Sequence, residues 1–175
     1  DMLTVNKVEE GKVLITKNTH LLQDILSSCL MHISGILKKN QHIITDIDPD
    51  TPSEIYVDEK ILKHILMNLL GNAIKFSSEN QDIFLRVRFL QAKWLFEITD
   101  QGIGIPEADQ PEIFNRFFRS SNASNIQGTG LGLNIVYQYV LLLEGKITFT
   151  SQENQGTSFF VQIPNTLSNE KNTTD

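Results

Sequence analysis

Residues 58–76 read DEKILKHILMNLLGNAIKF, and the rest of the chain is organised around this stretch. Apolar residues recur at every third or fourth position, which predicts an amphipathic α-helix with one buried stripe. Four polar residues form a second line beside that stripe: His64, Asn68, Asn72 and Lys75. They fall within an arc of roughly 80° because successive helix residues are about 100° apart. Two amides and an ammonium in one line favour a charged ligand, although the same spacing alone is also typical of a solvated helix face.

Length and composition predict one domain without a nucleic-acid partner. The chain has 175 residues, of which 40% are hydrophobic, and this is enough for a sizeable core. Its formal net charge is −6, whereas a nucleic-acid platform needs a basic field. Any anion-binding site must therefore be local.

Cysteine usage and the lack of long apolar runs predict a cytoplasmic location. Cys29 has no partner for an internal disulfide, which favours a reducing compartment and a buried thiol. Neither a signal peptide nor an apolar run of about 18 residues is present, so no membrane contact is expected from this chain. Because the chain begins at Asp1 rather than Met, we interpret it as a fragment whose parent protein can still be membrane-anchored elsewhere.

Helical and extended segments alternate along the chain. Beyond the central helix, one helix is predicted from Asn18 or Thr19 as its cap to about residue 40, and another from residue 128 to 145. Strands are predicted at residues 13–16, 42–47, 55–57, 83–89, 94–99, 146–151 and 158–163. Because the strands come in hairpins as well as across helices, we predict an α+β fold. It is a two-layer α/β sandwich whose mixed sheet of about five strands is covered on one face by about three helices.

Asp100 directly follows a predicted strand and precedes a Gly-x-Gly sequence at residues 102–104. Glycine lets the backbone approach a flat ligand closely, and an ionised carboxylate can only accept hydrogen bonds. The ligand group facing Asp100 is then a donor, such as the exocyclic amino group of adenine, with Ile103 and Ile105 in apolar contact with the ring. The alternative is a strand-to-turn aspartate, which is common in proteins.

Residues 128–132, Gly-Thr-Gly-Leu-Gly, stand where a helix is predicted to begin. Free backbone N–H groups and the positive end of the helix dipole favour an anion there. The spacing is not that of a Rossmann loop, which needs glycine where Leu133 stands, and no Gly-Lys-Ser/Thr sequence of a P-loop occurs. We interpret the polar segment 120–127 as a lid that closes over phosphates, the alternative being a flexible loop.

Arg116 and Arg119 flank paired phenylalanines in a short helical or turn segment. They could clamp phosphates or dock a partner helix. As an alternative, they are surface cations beside a cluster of core phenylalanines.

Together these segments resemble the N, G1, F, G2 and G3 boxes of sensor histidine kinases, in the same order. They are Asn68-x-x-x-Asn72-Ala-x-Lys75-Phe76, Asp100-x-Gly102-x-Gly104-Ile-Pro106, Ile113-Phe-x-Arg116-Phe-x-Arg119, Gly128-Thr-Gly130-Leu-Gly132-Leu133 and Gly156-Thr157. In two-component kinases these boxes mark the catalytic and ATP-binding domain, which belongs to the gyrase, chaperone, histidine kinase and mismatch-repair ATPase superfamily and has a Bergerat-type fold. The resemblance covers residues 11–164 as that domain. Residues 1–10 are similar to the end of the preceding dimerisation helix, and residues 165–175 form a polar tail.

What the resemblance implies for the site is a complete set of ATP-binding residues. Asn72 would coordinate Mg²⁺, Asn68 would assist the metal or the phosphates, and Lys75 would pair with a phosphate. Phe76 would lie against the adenine and Asp100 would bind its amino group. Asn68 and Lys75 are the expected catalytic residues. The further nucleotide-binding residues that the resemblance implies are Gly102, Ile103, Gly104, Ile105, Arg116, Arg119, Gly128, Thr129, Gly130, Leu131, Gly132, Leu133 and Thr157.

The function implied by the resemblance is transfer of the γ-phosphoryl group of Mg–ATP to a histidine on the dimerisation domain, for relay to an aspartate of a response regulator. The related hydrolytic ATPases carry a general-base glutamate where this chain has Asn68, whose amide cannot easily activate water. The family's phosphoacceptor motif, His-Glu-x-Arg, is not matched by any histidine of the chain, which are His20, His32, His42 and His64. The accepting histidine is therefore expected outside this chain, in a parent that dimerises. A non-catalytic nucleotide-binding regulatory module and a hydrolytic ATPase of the same superfamily are the alternatives.

Overall fold

The computed structural model describes residues 13–165, and these contain three α-helices and seven β-strands. The helices are α1 (Leu22–Ile33), α2 (Glu59–Phe76) and α3 (Gly132–Leu142). The strands are β1 (Asn18–Leu21), β2 (Ile43–Ile47), β3 (Glu54–Val57), β4 (Ile83–Leu90), β5 (Lys93–Thr99), β6 (Lys146–Gln152) and β7 (Gly156–Pro164). Short 3-10 turns lie at Ser34–Ile36, Glu107–Glu112 and Ser121–Ala123.

Five of the strands form one mixed sheet in the order β2-β4-β5-β7-β6. Strand β2 pairs with β4 in parallel, whereas the other three pairs are antiparallel. Strands β1 and β3 form a separate two-stranded antiparallel sheet, which the sequence did not predict. The prediction of an α+β sandwich around a five-stranded mixed sheet is confirmed.

Alternate residues of the sheet point into the core, where they meet the apolar stripe of α2. Leu85, Phe96 and Val161 are fully buried on neighbouring strands, and α2 and α3 pack against this face while α1 packs against α2. Every predicted stripe residue of α2 is buried: Ile61, Leu62, Ile65, Leu66, Leu69, Leu70, Ala73 and Ile74. Packing against the sheet thus fixes which way the polar line of α2 faces.

Side-chain and backbone hydrogen bonds define both ends of α2. The carboxylate of Asp58 accepts from Ile61 N at 3.1 Å, as a helix cap does, and from Thr16 N at 2.8 Å. At the other end the backbone becomes extended at Ser77, whose N–H donates to Ala73 O at 3.1 Å. The helix therefore stops just after Phe76.

The predictions for the region before residue 42 were partly wrong. Residues 13–16 form no strand, and the strand lies instead at Asn18–Leu21, where Asn18 or Thr19 was expected to cap the helix. Helix α1 begins at Leu22 without a side-chain cap and ends at Ile33 rather than near residue 40. The apolar spacing continues past Ile33, but a 3-10 turn ends the helix there. The predictions for residues 1–10 and for most of the polar tail fall outside the described residues.

Two smaller predictions can be compared with the structure. The Cys29 side chain is only 1% exposed, as expected, and burial raises the pKa of its thiol to about 11. Among the described residues, no helix is both long and apolar enough to cross a lipid bilayer.

Candidate functional site

The polar line of α2 forms one wall of a cavity of about 390 Å³. Asn68, Asn72, Lys75 and Phe76 all line this cavity. His64, one turn earlier, is exposed and lies outside the lining, with its ring 5.7 Å from that of Tyr139. The helix therefore presents two amides and an ammonium to the cavity, as its spacing predicted.

Asp100 stands at the end of β5, at the bottom of the cavity, and is only 8% exposed. Its Oδ1 accepts a hydrogen bond from Gly102 N at 2.8 Å, and its own N–H donates to Thr157 O at 2.9 Å. Burial raises the pKa of Asp100 to about 6, although the backbone N–H groups of Gly102 and Thr157 act in the opposite direction. A poorly solvated carboxylate gains most from a ligand that donates a hydrogen bond.

Close backbone approach explains the glycines beside Asp100. A Cβ atom added at Gly102 would lie 2.4 Å from Phe76 O, at the end of α2. Gly104 has φ of +63°, and its Cβ would lie 2.0 Å from Gln152 O. Because they lack side chains, Gly102 lets the segment after β5 approach the last turn of α2, and Gly104 lets it approach the end of β6.

Two cations give a positive charge to the part of the cavity next to Gly128. Lys75 and Arg119 both line it, and the pKa of Lys75 is lowered, first by burial and second by the nearby Arg119 guanidinium. The Lys75 ammonium lies 4.8 Å from the centre of the Phe76 ring and directly against Gly128, where an added Cβ would be 2.6 Å from Nζ. In a chain with a net charge of −6, this pair makes a local anion site.

The start of α3 adds uncapped backbone donors to this positive part of the cavity. Its N-cap residue, Leu131, makes no side-chain capping hydrogen bond, and the cavity is lined by Gly128, Thr129, Gly130 and Gly132 in front of the helix. The φ of +71° at Gly130 lets the loop turn into the helix. Free N–H groups and the helix dipole thus face the same space as the two cations.

The segment 120–127, which the sequence predicted as a lid, is held by side-chain hydrogen bonds near both of its ends. Asp109 Oδ2 accepts from Ser120 Oγ at 2.7 Å and from Ser121 N at 2.7 Å. Asn122 Nδ2 donates to Gly104 O at 3.1 Å, across the cavity mouth. The Arg119 guanidinium donates to three carbonyls of the segment, at Ala123, Ser124 and Ile126. This segment, which we call the lid, therefore lies over the cavity.

Most of the residues predicted from the sequence meet around this one cavity. Those that line it are Asn68, Asn72, Lys75, Phe76, Asp100, Ile103, Gly104, Ile105, Arg119, Gly128, Thr129, Gly130, Gly132, Leu133 and Thr157. Three others lie outside the lining. Gly102 donates its N–H to the Asp100 carboxylate, Leu131 is buried at the start of α3, and Arg116 lies on the turn before Arg119.

Several lining residues were not predicted as site residues. They are Ile113, Phe118, Ser120, Asn122, Ala123, Ile126 and Phe159. Ile113 and Phe118 belong to the phenylalanine-rich segment that was recognised as a motif, and four others belong to the predicted lid. Phe159 carried no signal, because an apolar strand residue at the cavity floor resembles every other core residue.

A family model matches residues 57–167 of the chain, described as histidine kinase-, DNA gyrase B-, and HSP90-like ATPase. The chain belongs to this family. Among curated relatives it is 32% identical over 168 residues to the circadian input-output histidine kinase CikA of Synechococcus elongatus, covering 94% of this chain and 22% of CikA. It is 36% identical over 173 residues to the signal transduction histidine-protein kinase BarA of Escherichia coli K12, covering 93% of this chain and 18% of BarA. The chain thus spans about a fifth of each of these relatives.

Among solved structures, full-length ShkA in complex with AMPPNP superimposes with a TM-score of 0.80 at 23% identity, covering 93% of this chain and 34% of ShkA. At that identity the match concerns the fold. Family, relatives and fold together confirm the predicted ATP-binding catalytic domain of the sensor histidine kinase type.

Proposed function

We propose that this domain binds Mg–ATP and transfers its γ-phosphoryl group to a histidine of a dimerisation domain. The observation that carries the proposal is the polarity of the cavity. A buried carboxylate, Asp100, lines it beside Gly102, whereas Lys75, which lies near Arg119, lines it beside Gly128 and the start of α3. A nucleotide has the matching order of groups, with an amino donor at the base and anionic phosphates at the far end.

Adenine is assigned to the part of the cavity that Asp100 lines. Asp100 would accept a hydrogen bond from the exocyclic amino group, and Ile103, Ile105 and Phe76 would contact the ring. ShkA, which has the same fold, was solved with AMPPNP bound. Desolvation makes the free carboxylate unfavourable, so an added donor stabilises it strongly.

The phosphates and Mg²⁺ are assigned to the polar line of α2 and the start of α3. Mg²⁺ prefers oxygen ligands, and several of them come from water and from the phosphates. One or two amide oxygens from the protein therefore suffice. Asn68 Nδ2 donates to His64 O at 2.9 Å, which leaves its oxygen directed towards Gly132 and the cavity. Among the described residues, the Asn72 side chain makes no hydrogen bond, so its oxygen is available too. The donor set fits Mg²⁺, which supplies neutralisation of phosphate charge.

Transfer to a protein group fits this cavity better than hydrolysis. Phosphoryl transfer depends mainly on positioning and charge neutralisation, which Asn68 and Lys75 provide. The amide of Asn68 is not a base that could take a proton from water. We therefore assign Asn68 and Lys75 as catalytic residues and Arg116, Gly102 and Leu131 as supporting residues around the nucleotide.

An exposed apolar surface beside the lid supports docking of the dimerisation domain. Phe117 is 58% exposed and has φ of +61°, a conformation that is strained for an aromatic residue. Leu141, on the outer face of α3, is 50% exposed, and Tyr137 lies one turn before it. Exposed apolar side chains, one of them on a strained backbone, favour a protein partner. The relay from that partner's histidine would continue to an aspartate of a response regulator.

The organisation of the parent protein is part of the same proposal. Residues 11–164 are assigned to the catalytic and ATP-binding domain, residues 1–10 to the end of the dimerisation helix, and residues 165–175 to a polar tail. The domain would work in the cytoplasm, where ATP is available, in a parent that forms a homodimer.

Radiolabelled phosphotransfer tests the proposal. The chain is incubated with [γ-³²P]ATP, Mg²⁺ and a dimerisation domain that contains the acceptor histidine. We expect label on that domain which is stable to base and lost in acid, and none when the acceptor histidine is replaced. Binding of ATP without transfer would favour a regulatory module, whereas steady hydrolysis without an acceptor would favour a hydrolytic ATPase.

A further inference from the structure

The end of α2 carries carbonyl groups that the helix itself cannot satisfy. An α-helix leaves its last four C=O groups without intrahelical donors. In this chain all the carbonyls of residues 74–78 accept from donors outside the helix. The donor for Phe76 O is Ile103 N, at 3.3 Å. The other donors come from the turn at residues 38–41, which follows α1.

Lys38 supplies the central contacts of this arrangement. Its ammonium donates to Lys75 O at 2.8 Å and to Ser77 O as well. A cation at the C-terminal end of a helix is stabilised by the helix dipole and by the unpaired carbonyls. Lys38 therefore binds the backbone of the last turn from outside the cavity lining.

Gln41 fixes Lys38 and continues the same contact. The Gln41 side chain is only 3% exposed. Its Nε2 lies 3.5 Å from Ile74 O and 3.4 Å from Ser78 O, while its Oε1 accepts from Lys38 N at 3.1 Å. The turn formed by residues 38–41 therefore binds the end of α2 through the side chains of both Lys38 and Gln41.

One of the residues bound by this turn, Lys75, also faces the cavity, and Phe76, the next lining residue, lies between the bound carbonyls of Lys75 and Ser77. Lys75 has its carbonyl on Lys38 and its ammonium in the cavity, 4.8 Å from the Phe76 ring. We infer that Lys38 is a positioning residue of the nucleotide site, which sets the last turn of α2 so that Lys75 meets a phosphate and Phe76 meets the base. The inference rests on the proposed function, since it names how that site is held in place.

Two measurements on matched variants test this inference. Lys38→Met removes the ammonium, and Lys39→Met removes an exposed lysine of the same turn as a control. The first measurement is ADP affinity by calorimetry. The second is amide exchange at Ser77, whose N–H closes the last turn on Ala73 O. For Lys38→Met we expect affinity to fall by about tenfold, with faster Ser77 exchange, because the charged donor is lost. Lys39→Met is expected to match the unmodified chain in both.

The outcomes separate the inference from the proposed function. ADP affinity of Lys38→Met within twofold of the unmodified chain would overturn the inference alone. A lower melting temperature with unchanged affinity would also overturn it, because Lys38 would then be merely structural. Absence of binding by the unmodified chain would overturn the proposed function and the inference with it. If Lys38→Met does not fold, Lys38→Gln, which keeps a neutral donor, is expected to show a smaller loss in the same direction.

Discussion

The cavity wall that carries Asp100 and the wall that carries the lid are held in place differently. The first, which we call the sheet wall, consists of residues 68–76 and 100–105, at the ends of α2 and β5 and backed by the buried core. The lid is held by side chains such as Asp109, Asn122 and Arg119, which bond to irregular backbone. Segments with few buried apolar contacts open at low free energy. We conclude that the sheet wall is preformed for recognition, whereas the lid can open for nucleotide exchange.

Asp100→Asn should have the largest effect on the sheet wall. The amide cannot replace the charged acceptor, so nucleotide affinity should fall on the order of a hundredfold. Because burial raises the pKa of Asp100 to about 6, ionising it costs stability at neutral pH. Folding favours the protonated Asp100 carboxyl. The stability that this preference adds is complete below about pH 4 and is lost as the pH rises through about 6. The variant should therefore melt no lower than the unmodified chain at pH 7.5, a result that calorimetric titration and thermal melting check together.

A pair of glycine substitutions compares the two walls directly. Gly102→Ala places a Cβ 2.4 Å from the backbone of Phe76, which cannot move freely, and should lower stability by about 1–3 kcal/mol. Gly128→Ala places a Cβ 2.6 Å from the flexible end of Lys75 and should leave the melting temperature nearly unchanged. The displaced ammonium should nevertheless weaken ATP binding and spare adenosine binding. Equal melting temperatures for the two variants would contradict the difference between the walls.

Asn72→Ala tests the polar line of the sheet wall. Removing an amide oxygen from the proposed metal site should reduce the gain in ATP affinity due to Mg²⁺ on the order of tenfold. Adenosine affinity serves as the control, because adenosine has no phosphates. The titrations are run with Mg²⁺ and with chelator, and an unchanged Mg²⁺ effect would remove Asn72 from the metal site.

The pH dependence of adenosine binding reports the charge on Asp100 itself. The proposed contact needs an ionised acceptor, and the pKa of the free carboxyl is raised to about 6. Affinity should therefore be constant above about pH 7 and fall by about tenfold at pH 5. Melting curves without ligand at the same pH values control for loss of fold. A flat profile down to pH 5 would mean that adenosine does not use the ionised carboxylate.

Asp109→Ala should have the smallest effect and should act on the lid alone. The variant loses the acceptor for Ser120 and Ser121, so nucleotide should dissociate several times faster with little change in melting temperature. Glu107→Ala, an exposed acidic residue of the same 3-10 turn, is the matched control. Stopped-flow displacement of a fluorescent nucleotide measures the rate, and equal rates for both variants would contradict the anchoring role.

The same contrast explains what the sequence could predict. The sheet wall was predictable because Asn68, Asn72 and Asp100 occupy fixed places relative to regular elements, whose period decides which way a side chain points. The Asp109 carboxylate accepts from Ser120 and Ser121 in an irregular segment, and Lys38 donates to backbone carbonyls more than thirty residues away. Neither kind of contact leaves a periodic sequence pattern. The strand at Asn18–Leu21 was missed for a similar reason, because its partner β3 lies more than thirty residues away. Local propensity alone could not choose between a cap and a strand there.

A calorimetric titration of ATP into the unmodified chain and into Asp100→Asn, each with Mg²⁺ and with chelator, tests the central claim most directly. We expect saturable binding by the unmodified chain that Mg²⁺ alters, and a large loss in the variant under both conditions. Absence of binding by the unmodified chain, or equal affinity for the variant, would contradict the assignment of the cavity as an ATP site.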